Sequence, residues 1–329
     1  MVTINSLSAS KPQPSSKSAK FIPVNLELLN TGQPLDFALY VSSPQAGRVM
    51  ILKKGQKLDP AQKMDLTRQK VRLYILRADQ DKYRVHLEAN LKELLRSDQV
   101  DDSRAAGLAY VLSLQVMEAA FERPDAETLG RAQDSLRSTT DLILARDQTF
   151  FILLEMTRNS SQLHVHSCNV AFFGLGLAKA LVKENRQINL HALAPALFFH
   201  DLGLVTIDRS IIDKPGPLTP EEWEKVKEHP AIGRDMLAEA GFLTQEAEVI
   251  LHQHHERLDG SGYPYQLQGA QVHFYARICA VADVYDALTS DRSYKKRLTG
   301  LEAAKILMEE MTEQLDQDLV RRFIKIFRR

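Results

Sequence analysis

Histidines are concentrated in the second half of this 329-residue sequence. Nine of the ten lie between His164 and His273, and only His86 lies earlier. In the stretch FFHDLGLV, His200 and Asp201 are neighbours among residues that favour burial. Imidazole and carboxylate groups are the side chains that bind transition metals and transfer protons in enzymes. The clustering therefore raises the question of whether these residues form one site.

Helical spacing predicts that Asp201 faces the protein interior. It falls on the same stripe of a predicted helix as Leu190, Leu193 and Leu197. An isolated carboxylate is costly to bury because it loses its hydration, so it needs a partner. A bound metal cation is the strongest partner available. Pro195 lies inside this segment and leaves the start of the helix open.

Two further predicted helices carry residues of the same kind on apolar stripes. His166 shares a stripe with Val170, and Asp283 shares one with Cys279. Three more histidines complete the set: His229, His254 and His255. One histidine on an apolar face is more often an ordinary core residue, but so many metal-binding residues together favour a metal site.

Seven side chains of this type exceed what one tetrahedral zinc ion needs, so two ions fit better than one. Asp201 can bridge two ions with its two oxygens. Imidazole with carboxylate suits Fe, Mn or Zn and disfavours Ca and Mg. Two ions about 3.5–4 Å apart can hold a bridging hydroxide as nucleophile and clamp a phosphoryl group. No Ser or Cys has a base and an orienting group beside it, so the residues favour metal-assisted hydrolysis of a phosphoester.

The elements that must position these residues are predicted to be helices. Residues 147–329 have a period near 3.6, interrupted by the stretch DGSGYPYQLQG, whose Gly, Ser and Pro forbid a continuous helix. Amphipathic segments such as AAGLAYVLSLQVMEAAF predict a helical connector over residues 91–146, either a hairpin or a dimerising stalk. The predicted fold class is mainly α, with an all-helical bundle at residues 147–329.

A different pattern precedes these helices. Residues 21–90 alternate apolar and polar residues in segments such as LDFALYVSS and KVRLYILRADQDKYRVHLEANL, which predicts a small β-rich domain with hairpins. This domain is either a plain structural module or a regulatory input domain. Residues 1–20 are rich in Ser, Lys and Pro and predict a flexible tail.

Composition limits the partners and the compartment. The formal net charge is zero, so it gives no argument for binding a nucleic-acid polymer or a membrane surface. No apolar run approaches the roughly 20 residues of a membrane helix, and the start lacks the apolar core of a secretory signal. Cys168 and Cys279 lie in apolar, helical segments, which suits a reducing compartment. We therefore expect a cytoplasmic protein.

The stretch HHERLDGSGYP, from His254 to Pro264, together with the His200–Asp201 pair, resembles the HD-GYP family, a branch of the HD phosphohydrolase superfamily. Other matching pieces are HS at His166, IIDKPGPLTPEEWEKVKEHPAIG, ARICAVADVYDALTSDRSY and LDQDLVRRF. The resemblance covers residues 147–329, and the long motif that ends in Gly-Tyr-Pro is highly specific.

The resemblance implies a helical catalytic domain that holds two or three metal ions, commonly iron or manganese. It implies hydrolysis of cyclic di-GMP to linear pGpG and sometimes on to GMP, with His200 and Asp201 as the catalytic pair. One metal would be held by His166, His200, Asp201 and Asp283. The second would be held by Asp201, His229, His254 and His255.

The resemblance also implies substrate and partner contacts. Arg292 and Lys295, in DRSYKK, match positions that contact substrate phosphate, and two cations suit a dinucleotide with two negative charges. The alternative for both is solvated surface. The loop Gly260–Pro264 would lie beside the site, with Gly262 and Tyr263 as further substrate contacts, and it is implicated in protein contacts in relatives. A homodimer is compatible with these expectations.

The sequence departs from the family pattern at several positions. Gln162 stands where members with three metals carry a glutamate, which favours a dinuclear site. Leu204 stands where the family has a lysine that faces the scissile phosphate, and losing one such interaction costs about 10²–10³ in rate. Asn169 replaces an arginine, and His164 and His252 are additional.

Three functions follow from these observations. The first is an active cyclic di-GMP phosphodiesterase, supported by the intact ligand set. The second is a degenerate receptor that binds metal and cyclic dinucleotide with little turnover, supported by Leu204. The third keeps the chemistry with another cyclic dinucleotide or a nucleotide monophosphate as substrate.

Overall fold

The structure is a computed structural model that describes residues 21–43, 46–95, 101–157, 162–291 and 297–327. It is mainly α with a small antiparallel sheet near the N-terminus, which confirms the predicted fold class. The chain forms two compact units, Met1–Leu108 and Ala109–Arg329. The tail predicted at residues 1–20 lies outside the described residues.

The first unit contains a sheet, two complete α-helices and the start of a third among its described residues. These elements are β1 Phe21–Val24, β2 Leu39–Ser43, β3 Gly47–Leu52, α1 Pro60–Arg68, β4 Leu73–Leu76 and α2 Gln80–Leu95. The strands pair antiparallel in the order β1-β4-β2-β3, with Tyr40 opposite Tyr74. The division between the units falls inside the next helix, α3 Asp102–Glu122.

Residues 80–90 do not continue the sheet, so the extended interpretation of this segment is wrong. They form the first part of α2. Tyr83, Leu87 and Leu91 are spaced by four and are all buried, whereas Val85 is 57% exposed. A spacing of four brings side chains onto one face of a helix, and burial of that face outweighs the apparent alternation.

The described residues of the second unit form helices, turns and loops, with one isolated antiparallel bridge between Asp259 and Gln268. Its helices after α3 are α4 Ala126–Ala145, α5 Asp147–Glu155, α6 Leu163–Lys183, α7 Leu190–Phe198, α8 Arg209–Ile212, α9 Pro220–Lys227, α10 His229–Glu239, α11 Gln245–Gln253, α12 Phe274–Thr289, α13 Gly300–Glu309 and α14 Gln317–Ile326. Two 3₁₀ helices, Leu202–Thr206 and Gly269–Gln271, lie between them.

Helix α4 lies in the second unit, although the sequence assigned it to a connector that ends at residue 146. It packs against α5 and α7. Leu129, Leu136 and Ile143 of α4 are fully buried. The compact second unit therefore begins before residue 147, because α4 contributes to its core.

Helix α6 packs against α5, α7, α12 and α14 and is buried along most of its length. By length and composition it could cross a membrane, with a mean hydropathy of 1.4 over its most apolar window. However, 89% of that window is buried inside the structure. The length and hydropathy of α6 contradict the expectation that no apolar run in the sequence approaches the length of a membrane helix. The burial accounts for the apolarity of α6.

Candidate metal centre

The seven residues that the sequence predicts as metal ligands come together in the second unit. They form two groups within which the candidate ligand atoms lie within 4.8 Å of one another. One group contains His166, His200 and Asp283, and the other contains Asp201, His229, His254 and His255. All seven are buried except His255, which is partly exposed.

Asp201 links the two groups through separate oxygens. Its Oδ2 lies 3.4 Å from Nε2 of His166 and 3.4 Å from Nε2 of His200. Its Oδ1 lies 3.3 Å from Nε2 of His229 and 3.4 Å from Nε2 of His254. One carboxylate thus presents one oxygen to each group, which is the geometry of a bridging ligand.

Asp283 connects the groups on another side. Its Oδ1 lies 3.3 Å from Nε2 of His166, and its Oδ2 lies 3.8 Å from Nδ1 of His255. Helix α12 carries this residue with Ala276, Cys279 and Ala280 buried beside it. The predicted apolar stripe therefore does direct Asp283 inward.

The predicted helical stripe through Asp201 is wrong, although the residue is buried. Helix α7 ends at Phe198, and Asp201 lies in the turn that leads into the 3₁₀ helix Leu202–Thr206. The side chain of Asp201 is directed inward by this turn. Pro195 lies inside α7, and its carbonyl oxygen accepts a hydrogen bond from the backbone nitrogen of Phe199 at the end of the helix.

A close backbone contact places His229 against Asp201. A Cβ atom added to Gly203 would lie 2.0 Å from the backbone oxygen of His229 and 2.7 Å from the nitrogen of Gly233. Only glycine allows the 3₁₀ helix and the start of α10 to approach this closely. His229 is the first residue of α10, so this contact sets its distance from the carboxylate.

Three histidines are oriented by backbone carbonyls. The Nδ1 atoms of His200, His229 and His254 lie 2.9, 2.7 and 2.9 Å from the carbonyl oxygens of Leu197, Val226 and Ile250. A carbonyl can only accept, so each Nδ1 carries the hydrogen and each Nε2 offers a lone pair. This is the tautomer that a metal ligand requires.

The arrangement fits metal ions by its chemistry. Within the described residues, Nε2 of His200 and Oδ1 of Asp201 are buried and have no hydrogen-bond partner. Buried polar atoms of native proteins are nearly always satisfied, so one unsatisfied donor atom in each group indicates a bound ligand there. Nitrogen and carboxylate donors together suit iron, manganese or zinc.

The electrostatics differ between the two groups of the centre. Burial by itself lowers the pKa of His166, but the carboxylates of Asp201, Asp283 and Asp286 outweigh it and raise that pKa well above its usual range. Burial by itself raises the pKa of Asp201, but His200, His166 and His229 hold it well below its usual range. In contrast, burial and the neighbouring His254 lower the pKa of His255, which keeps that imidazole neutral.

Sequence reasoning missed Asp286. Its Oδ2 lies 2.7 Å from Nδ1 of His166, and its Oδ1 accepts a hydrogen bond from Nδ2 of Asn169 at 2.8 Å. Asp286 lies three positions after Asp283, as Asn169 does after His166. This matching spacing places all four on facing sides of α6 and α12, and it is the signal that could have identified Asp286.

The loop after α11 packs tightly beside His255. The ring of Tyr263 stacks on His255, with centroids 4.7 Å apart. A Cβ atom on Gly262 would lie 2.4 Å from the backbone nitrogen of Arg257. Glu256 is buried and accepts hydrogen bonds from the backbone nitrogens of Tyr265 at 2.6 Å and of Leu267 at 3.0 Å. The loop therefore forms a fixed wall of the centre.

Several other predicted residues are placed as follows. Leu204 is half-buried in the 3₁₀ helix, and its backbone N–H donates a hydrogen bond to the backbone carbonyl oxygen of Asp201 at 3.0 Å. His164 and His252 belong to neither group of ligands within the described part of the chain. The predicted substrate contacts Arg292 and Lys295 lie outside the described residues.

An aromatic residue that the sequence did not single out extends the wall toward solvent. The ring of Trp223 contacts Tyr263 edge to face, with centroids 5.4 Å apart, and the residue is 42% exposed. Trp223, Tyr263 and His255 thus form a continuous aromatic path from the surface to the ligands. The signal for Trp223 was its position six residues before His229 on the short helix α9.

Comparison with known proteins identifies relatives that carry the same functional name. A cyclic di-GMP phosphodiesterase of Pseudomonas aeruginosa is 34% identical over 195 residues, which cover 59% of this chain and 46% of that protein. A cyclic di-GMP phosphodiesterase of Vibrio cholerae is 42% identical over 211 residues, which cover 61% of this chain and 42% of that protein. Each match thus spans less than half of the relative's length.

A solved HDG"Y"P protein from Bdellovibrio bacteriovorus has a similar fold. The TM-score is 0.67 at 20% identity, over 94% of this chain and 100% of that chain. The family model described as HD domain matches residues 154–319, which is half of the sequence and includes every candidate ligand. The chain therefore belongs to the HD-domain family, and its HHERLDGSGYP motif is the feature that resembles the HD-GYP branch.

Proposed function

We propose that the second unit is a metal-dependent phosphodiesterase that hydrolyses cyclic di-GMP to linear pGpG. The observation that carries this proposal is the division of the Asp201 carboxylate between two groups of ligands. Such a carboxylate suits a pair of ions rather than a single one. The names of the relatives from Pseudomonas aeruginosa and Vibrio cholerae support the substrate.

The proposed cofactor is a pair of divalent ions, iron or alternatively manganese. One ion would be held by His166, His200, Asp283 and Oδ2 of Asp201, and the other by His229, His254, His255 and Oδ1 of Asp201. When bound, such ions supply a nucleophilic water and neutralise charge on the phosphoryl group. Gln162, a weak ligand, supports two ions rather than three.

The chain's own residues position the ligands and exclude water. Leu197, Phe198 and Leu202 surround the His200–Asp201 turn and are fully buried, so the pair is held in one arrangement. The low polarity of this wall strengthens the electrostatic attraction between the carboxylates and cations. On the other side, the exposed ring of Trp223 offers a guanine base a surface on which to stack.

The direct test is a turnover assay. The full chain would be loaded with Fe(II) or Mn(II) and incubated with cyclic di-GMP, and products would be separated by chromatography. We expect linear pGpG, with further conversion to GMP at long times, and no product from Asp201→Ala. Absence of linear product with both metals, beside an active control enzyme, contradicts the proposal.

A second candidate is a receptor that binds metal and cyclic dinucleotide with little turnover. The observation that favours it is Leu204, a half-buried apolar residue three positions after Asp201 at the family's lysine position. We expect Leu204→Lys to raise kcat by about 10²–10³ if only this charge is missing. Leu204→Met is the matched control, since it keeps an apolar side chain of similar size. Binding with no turnover in either variant favours the receptor.

Partners and compartment are further parts of the proposal. The two cysteines, Cys168 and Cys279, are free and buried, which supports a reducing cytoplasm. Ser261, within the Gly260–Pro264 loop, and Tyr265, which follows that loop, are exposed and could contact a protein partner. A competition assay with several cyclic dinucleotides would determine which one the site prefers.

A further inference from the structure

We propose that Asp286 is a positioning residue. Its carboxylate orients His166, and the metal affinity of the position that contains His166 depends on this carboxylate. This inference rests on the metal centre of the proposed function. It concerns a residue that is not one of the seven candidate ligands. Its consequence is that the two metal positions differ in what holds their histidines.

The Asp286 carboxylate is fixed by three contacts. The residue is only 2% exposed. Its Oδ2 lies 2.7 Å from Nδ1 of His166 and accepts a hydrogen bond from Oγ of Ser290 at 3.2 Å. Its Oδ1 accepts a hydrogen bond from Nδ2 of Asn169 at 2.8 Å. The three partners are themselves buried, so the carboxylate is held in one orientation.

This orientation determines what His166 presents to the centre. A carboxylate accepts the hydrogen of Nδ1, which leaves Nε2 as the free donor atom. That Nε2 lies 3.4 Å from Oδ2 of Asp201 and 3.3 Å from Oδ1 of Asp283. A carboxylate behind the ring also makes the imidazole a stronger ligand than a neutral acceptor does.

The other oriented histidines lack this charge. His200, His229 and His254 each bond a backbone carbonyl within their own turn, which no side-chain substitution removes. The group with His166 is therefore flanked by Asp283 and Asp286, whereas the other group contains three imidazoles around the shared Asp201. Removing the Asp286 carboxylate should weaken only the first position, by roughly 10- to 100-fold in metal affinity.

A cavity beside Asp286 makes a sharp test available. It has a volume of about 400 Å³, and its lining includes Asp286, Thr289, Phe173 and Tyr285. When the side chain is shortened, a small carboxylate such as formate has room to take its place against His166. Restoration of metal affinity by formate would indicate a chemical role for the carboxylate, because a purely structural defect would not respond to it.

The experiment is a calorimetric titration of the full, metal-free chain with Mn(II). We expect two equivalents to bind the wild type. In Asp286→Ala one equivalent should keep its affinity and the other should weaken roughly 10- to 100-fold. Formate should recover much of that loss. Asp286→Asn, which keeps an acceptor oxygen without the charge, should give a smaller loss. In both variants the Mn(II) electron paramagnetic resonance signal should change from a coupled pair to a single ion at low loading.

Two controls make the result specific. Asp318→Asn removes an exposed carboxylate that pairs with Arg322 in α14, and it should change neither equivalent. His166→Ala should lose the first position and should not respond to formate.

Distinct outcomes separate the two proposals. A wild type that binds neither Mn(II) nor Fe(II) contradicts the proposed function itself. If both Mn(II) equivalents bind to Asp286→Ala with wild-type affinity, the positioning role of Asp286 is overturned and the proposed function is not affected. If Asp286→Ala does not fold by circular dichroism, Asp286→Asn decides, since unchanged affinity at both positions there also overturns it.

Discussion

The Asp201 carboxylate is buried among imidazoles, and each of its oxygens faces a different pair of them. The sequence could predict this residue because an isolated buried carboxylate demands a cationic partner. Asp286 was missed because its only signal in the sequence is its spacing from Asp283, while the histidine that it contacts lies 120 positions away in the chain. Residue types identify candidate ligands, whereas the residues that orient them become visible only when helices are packed together.

The exposed ring of Trp223 leads to a prediction about substrate affinity. Stacking of one base on an aromatic side chain contributes about 1–3 kcal/mol. We therefore expect Trp223→Ala to weaken cyclic di-GMP binding to the metal-free chain roughly 5- to 150-fold in calorimetry. Trp223→Phe should retain most of the affinity. Tyr265→Ala is the matched control, because Tyr265 is also exposed but contacts His252. Equal effects of the two alanine variants would contradict the stacking role.

The lowered pKa of Asp147 leads to a prediction that the free energy of unfolding depends on pH. Hydrogen bonds from Lys179 at 2.8 Å and Lys183 at 2.5 Å lower the pKa of this carboxyl from 3.8 to about 2. Because the folded pKa is the lower one, the stabilisation is complete above about pH 4 and is lost as the pH falls toward 2.

The Asp147→Asn variant tests this dependence. The side chain of Asp147 is 54% exposed, so we expect a loss of only about 0.5–1 kcal/mol in the free energy of unfolding at pH 7. Urea unfolding between pH 2 and 7 should show a smaller decline between pH 4 and 2 than in the wild type. An identical decline in both proteins would exclude Asp147 as its source.

At the scale of elements, the sequence predicts helices well where an apolar face persists over several turns. Helices α6 and α12 place His166 and Asp283 on the predicted stripes. The prediction failed at α2, where an apparent alternation of apolar and polar residues obscured buried residues that are spaced by four. It also failed after α7, where the chain leaves the helix before Asp201. A turn has no period, so its side-chain directions could not be inferred from spacing.

The contact between the 3₁₀ helix Leu202–Thr206 and α10 leads to a prediction for Gly203. A methyl group there would meet backbone atoms, which cannot move aside as a flexible side chain does. We expect Gly203→Ala to lower the free energy of unfolding by more than about 3 kcal/mol and to abolish metal binding at the His229 side.

Gly233→Ala is the graded comparison on the facing helix. Its added Cβ would lie 3.0 Å from the nitrogen of Gly203 and 3.1 Å from a methyl group of Leu251, so about 1–3 kcal/mol is expected. Chemical denaturation and metal analysis of both variants would measure these effects. Wild-type stability in Gly203→Ala would show that the two elements are not held at this distance.

At the scale of the whole molecule, the candidate site belongs entirely to the second unit. All seven candidate ligands and Asp286 follow Ala109, where that unit begins. The sequence predicted a separate N-terminal domain from its change of pattern, but it could not give the boundary, because α3 runs through it without a break. A regulatory role for the first unit stays a prediction.

Metal binding should therefore stabilise the second unit, and the chain contains a convenient probe for it. Trp223 is the only tryptophan in the sequence and lies in the second unit, so its fluorescence reports the unfolding of that unit. At a free Mn(II) concentration of 100 times Kd, binding to one site adds about 2.7 kcal/mol of stability. For a unit of this size we expect the Tm to rise by roughly 5–10 °C. Asp201→Ala, which removes the shared ligand, should abolish the rise, and the metal chelator EDTA should reverse it in the wild type. An equal rise in Asp201→Ala would place the stabilising metal elsewhere in the chain.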